Sequence, residues 1–64
     1  MDYKDIIDRI IQLRHQKGLT QKALANLTSI NREVIARIET KKVAPRIDTL
    51  VKIIDALEAK IIIK

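Results

Sequence analysis

Between Ile6 and Leu57, apolar residues return at helical spacing, and the only glycine and only proline fall in the gaps between those runs. A chain punctuated this sparingly turns mainly by ending helices. Ile6, Ile10 and Leu13 recur at intervals of four and three, with Ile7 and Ile11 widening the stripe. That spacing predicts an amphipathic helix from Asp5 to Gln16. Asp5 and Asp8 lie toward its positive N-terminal end, and Gly18 supplies the stop. Thr20 suits the N-cap of a short helix over 21–28, which carries Leu24, Ala25 and Leu27. Thr28, Ser29, Ile30 and Asn31 break the pattern. Asn31 suits the cap of the next helix, expected over 32–40, with Val34, Ile35 and Ile38 facing inward. Lys41 to Arg46 reads as a loop, since Pro45 disfavours helix at Ala44. Ile47 to Leu57 forms a last amphipathic helix, its expected buried stripe being Ile47, Leu50, Val51, Ile54 and Leu57. The chain closes on Ile61, Ile62 and Ile63 between two lysines. Three β-branched residues in a row favour a strand, expected over 60–64.

Sixty-four residues make one domain, expected to span 1–64. A domain this small buries only about 60% of the surface its unfolded chain exposes. No cysteine is present, so neither disulfides nor thiolate metal sites assist it, and the lone His15 excludes a two-histidine zinc motif. Tyr3 is the one aromatic residue, so aliphatic side chains must fill the core. That scarcity also argues against a platform for stacking single-stranded bases. Neither a nucleophile–base motif nor a phosphate-cradling glycine loop is visible, so no enzyme chemistry, cofactor or metal is expected. No apolar run approaches membrane-spanning length, and no secretory signal is visible. The expectation is a cytoplasmic protein with no membrane partner.

The net charge of +5 is unevenly placed. From Arg14 to Arg46 there are eight basic residues against two acids, while the remainder carries five basic and six acidic residues. A basic segment beside a near-neutral one suits a polyanion, although a solvated basic face would read the same way. Two short helices joined by a tight turn, the second of them basic, is the arrangement that sets a recognition helix in the major groove of DNA. Ala25 is small enough to admit the second helix, Ile35 can lie against it, and Ile30 can plug the turn.

The run Gly18-Leu19-Thr20-Gln21-Lys22-Ala23-Leu24-Ala25 resembles the Cro/repressor (XRE) family of helix-turn-helix domains. So do Ile35-Ala36-Arg37-Ile38-Glu39, Pro45, and Thr49 to Leu57. The resemblance covers residues 6–57. It implies an all-α, four- to five-helix bundle like the lambda repressor domain, here followed by a short C-terminal β-strand. The implied function is a repressor that binds double-stranded operator DNA as a dimer. By position, Arg32, Glu33 and Arg37 would contact bases. Arginine can bridge both acceptors of a guanine edge, and glutamate can accept from cytosine N4. Thr20, Gln21, Lys41, Lys42 and Arg46 would contact the DNA backbone, and Asn31 would either do so or cap its helix. Arg14 and Glu39 would form a largely buried salt bridge. The chain departs from the family at Ser29, Lys41 and Glu58, where glycine is usual. It departs again at Thr28, often apolar, and at Arg46, usually a Ser/Thr cap.

The terminal isoleucines allow a further expectation. An exposed strand edge invites pairing, so Ile61, Ile62 and Ile63 would form a dimer seam, with Ile7 and Ile11 as the surface receiving it. The strand could instead fold onto its own subunit. A strand after such a domain also resembles antitoxins of the HipB and HigA kind, which would add a cognate toxin as partner. A protein-binding adaptor built on the same fold is the reading from outside DNA binding.

Overall fold

The computed structural model describes residues 2–58. Among these, four helices follow one another: α1 (Tyr3–Gln16), α2 (Gln21–Thr28), α3 (Arg32–Glu39) and α4 (Ile47–Ala56). No strand occurs among the described residues. The strand expected over 60–64, with Ile61, Ile62 and Ile63, lies outside them. No helix of the described residues is long and apolar enough to cross a membrane.

α1 starts at Tyr3, two residues before the expected Asp5, because Asp2 and Asp5 form a capping box. The Lys4 N–H donates to Asp2 Oδ1 at 3.1 Å, and the Asp2 N–H donates to Asp5 Oδ2 at 3.2 Å. Two otherwise orphaned donors are thereby satisfied. α2 begins under Thr20, whose Oγ1 accepts from the Ala23 N–H at 3.0 Å. α3 begins under Asn31, whose Oδ1 accepts from the Glu33 N–H at 2.8 Å. Its last helical residue is Glu39, and Thr40 is the cap. α4 starts at Ile47, and its N-cap Arg46 makes no side-chain cap bond, as expected where arginine replaces Ser/Thr.

The core joins all four helices. α1 contributes Ile7 and Ile10, α2 Leu24 and Ala25, and α3 Ile35 and Ile38. α4 and its C-cap add Leu50, Ile53, Ile54 and Leu57. α2 packs against α3 and α4, and α1 packs against α3. Three expectations about facing are corrected. Ile7 is fully enclosed by its own chain, so it cannot receive a partner's strand. Val34 is 36% exposed, because it lies at the edge of the arc that Ile35 and Ile38 bury. On α4, Ile53 is buried where Ile47 and Val51 are 76% and 49% exposed. That helix carries two overlapping apolar stripes, 47/50/51/54 and 50/53/54/57. The fold buries the second, which turns Ile47 and Val51 to solvent.

Each helix is followed by one residue in the left-handed region: Gly18, Ser29, Lys41 and Glu58, with φ of 68°, 59°, 64° and 55°. Such a residue lets the chain reverse while satisfying the last helical carbonyls. The three departures from glycine thus fall on the remaining left-handed ends. A Cβ costs roughly 1–2 kcal/mol in that conformation, so these ends hold strain that the rest of the fold overcomes.

Candidate nucleic-acid interface

The turn between α2 and α3 is tight because its polar groups are satisfied locally. Thr28 is buried, and its hydroxyl donates to the Leu24 carbonyl at 2.8 Å. The same oxygen accepts from the Ile30 N–H at 3.3 Å. Thr28 therefore bridges the end of α2 to the turn. Ala25 and Ile35 are both buried in the shared core, and Ile30 is partly buried against it. These contacts fix α3 against α2 and leave its other side to solvent.

Successive residues on a helix are rotated by about 100°. With Ile35 and Ile38 turned into the core, the outward arc of α3 carries Arg32, Ala36, Glu33 and Arg37. Arg32, Glu33 and Arg37 are exposed, and Ala36 is partly buried. The side chain of Asn31 is engaged as the cap, so one of its polar ends is committed to α3 itself.

Behind this arc lies a buried polar cluster. Arg14 donates from Nε to Glu39 Oε2 and from Nη2 to Glu39 Oε1, both at 2.9 Å. The two side chains are 11% and 8% exposed. Arg14 Nη1 also donates to the Leu19 carbonyl at 2.8 Å, and Nη2 lies 3.1 Å from His15 Nε2. Gln21 Nε2 donates to Glu39 Oε1 at 3.0 Å. One carboxylate thus ties α1, α2 and α3 together. Among the described residues no buried side-chain polar atom is without a partner.

The basic residues after α3 differ in what holds them. Lys41 Nζ donates to Asp8 Oδ1 at 2.7 Å, and the Lys41 carbonyl accepts from the Tyr3 hydroxyl at 3.2 Å. The end of α3 is therefore pinned to α1. Arg46 lies 3.3 Å from Asp48, with the two side chains 84% and 65% exposed. A pair so exposed is screened and holds the guanidinium only weakly. Lys42 is exposed on the loop. Tyr3 and Asp8 were not among the site residues expected from sequence. Tyr3's being the lone aromatic was the one available signal for it. Gln21's bond to Glu39 had no sequence signal, since 18 positions separate the two.

Residues 10–62 match the family described as helix-turn-helix. The chain is 36% identical over 52 residues to an uncharacterized HTH-type transcriptional regulator of Haemophilus influenzae, an alignment covering 81% of this chain and 53% of that protein. It is 39% identical over 46 residues to the HTH-type transcriptional regulator PuuR of Escherichia coli, covering 72% of this chain and 25% of PuuR. The chain thus spans about half the length of the first relative and about a quarter of the second.

Proposed function

Since the chain belongs to the helix-turn-helix family of the XRE type, we propose that it is a sequence-specific double-stranded DNA-binding regulator of transcription, with α3 seated in the major groove. The observation that carries this reading is the outward arc of α3. It presents Arg32, Glu33 and Arg37 to solvent on a helix whose opposite face is locked into the core. Arginine and glutamate are the side chains suited to guanine and cytosine edges.

The surrounding residues take supporting roles in this proposal. The N–H groups of Gln21 and Lys22, which open α2 ahead of the capped Ala23 N–H, have no intrahelical partner and suit a phosphate. Gln21, held by Glu39, sits beside them, and Thr20 caps the same helix end. Asn31 keeps its amide nitrogen for the DNA backbone while its oxygen caps α3. Lys42 and Arg46 supply phosphate contacts, which add affinity without sequence choice. Lys41 shares that role with its bond to Asp8. Arg14 stays structural.

The proposal extends to a dimeric repressor occupying an operator. The described residues extend at most 31 Å, so two copies have room to sit side by side on half-sites one helical turn, ~34 Å, apart. Ile61, Ile62 and Ile63 are the sequence's candidates for the seam, and deletion of 60–64 tests them: the deletion should be monomeric in light scattering. Selection of bound sequences from random duplex DNA tests the main reading. Two-fold symmetric sites, bound with a salt slope of about −0.9 per phosphate neutralised, support it. No enriched sequence, or binding indifferent to salt, overturns it in favour of a protein-binding role.

A further inference from the structure

The outward arc of α3 holds three long charged side chains and one methyl group. Taking Arg32 as the origin, Ala36 lies about 40° around the helix, Glu33 about 100° and Arg37 about 140°. Ala36 therefore sits between Arg32 and Glu33, one turn further along, and next to Arg37 in sequence. It is the one apolar residue in that arc; Val34, 36% exposed, lies on the far edge. A short side chain among long ones makes a shallow notch with a methyl floor. The helix backbone behind the notch comes closest to whatever the arc faces.

We infer that Ala36 is a specificity-determining residue that receives the 5-methyl group of a thymine. This rests on the DNA-reading role proposed above. Among the four bases, only thymine projects a methyl into the major groove, and alanine is a side chain that contacts it without demanding a hydrogen bond. Cytosine in that place would leave the notch unfilled. The charged neighbours serve the adjacent positions, so the expected half-site places a thymine beside the base pairs read by Arg32, Glu33 and Arg37.

The test replaces each thymine of a selected duplex with deoxyuridine, which removes the methyl and leaves the pairing edge intact. Wild-type protein is titrated against each duplex by anisotropy. One thymine per half-site should respond, with affinity falling about fourfold, the effect of one buried methyl-sized group. In Ala36→Gly, confirmed folded by its melting curve, thymine and deoxyuridine at that position should bind alike. If Ala36→Gly does not fold, Ala36→Ser replaces it, with the same loss of preference expected. An unmodified duplex that binds tightly while no deoxyuridine duplex differs overturns the role of Ala36 and leaves DNA reading intact. A methyl preference that survives in the variant also overturns it. Failure of every duplex to bind overturns both readings.

Discussion

α3 carries two glutamates in opposite surroundings. Glu33 is exposed on the outward arc with Arg32 and Arg37. Glu39 is turned into the molecule, its side chain 8% exposed, and accepts from Arg14 and Gln21. One eight-residue helix thus has a face whose charges are free to engage a partner and a face whose charge holds the helix in place. A charge on the first face should matter for binding and hardly for stability. A charge on the second should do the reverse, because removing it leaves Arg14 desolvated and unpaired.

The largest expected effect is on the inner face. Glu39→Ala should destabilise the fold by about 3–5 kcal/mol, a large fraction of what a domain this small possesses. Denaturant melts will show it as a lost or strongly lowered transition, while Arg37→Ala should stay within about 0.5 kcal/mol of wild type. Equal midpoints for the two variants would break the comparison. Next in size is the outer face. Arg32→Ala and Arg37→Ala should each weaken binding to a selected duplex by about 1–3 kcal/mol, relax base choice at one position, and leave the melting curve in place. A variant that loses affinity equally for all sequences would reassign that arginine to the phosphate backbone.

Smaller effects sharpen the contrast between the turn and the surface. Ser29 is left-handed at φ 59°, so Ser29→Gly should stabilise by about 1 kcal/mol. Thermal melts should then rise by about 4–8 °C. A fall would mean that the Ser29 side chain does something at the turn that glycine cannot. Smallest is the exposed pair. Asp48→Ala, which frees Arg46, should change stability by less than about 1 kcal/mol. In salt titrations, Arg46→Ala should reduce the slope by about 0.9 if the guanidinium meets one phosphate. An unchanged slope would remove Arg46 from the backbone contacts.

Much of this architecture was legible in the residues themselves, for local reasons. Thr20 and Asn31 cap helices because a short polar side chain reaches the N–H two or three residues on, a contact that needs no distant partner. The turn at Gly18 was legible for the same reason. The first turn of α1 was missed because its cap is an aspartate answered by an aspartate, where a serine or threonine with glutamate is the commoner box. The outward placement of Arg32, Glu33 and Arg37 followed from the buried Ile35 and Ile38 through helix periodicity alone. Lys41 was harder to read. A lysine after a basic helix suits a phosphate, yet here its ammonium meets Asp8, 33 positions away.

What the sequence alone determined is therefore the set of helices, the caps of α2 and α3, and the solvent-facing arc of α3. Each depends on interactions within a few residues. What only the tertiary structure decided is which of two apolar stripes α4 buries, leaving Ile47 and Val51 exposed. It also decided that Tyr3 and Asp8 pin the end of α3, and that Gln21 shares Glu39 with Arg14. The physical reason is common to all three. A helix with more apolar surface than one face can hold, or a polar side chain with several reachable partners, is settled by neighbours far away along the chain, and local sequence does not say which neighbours those will be.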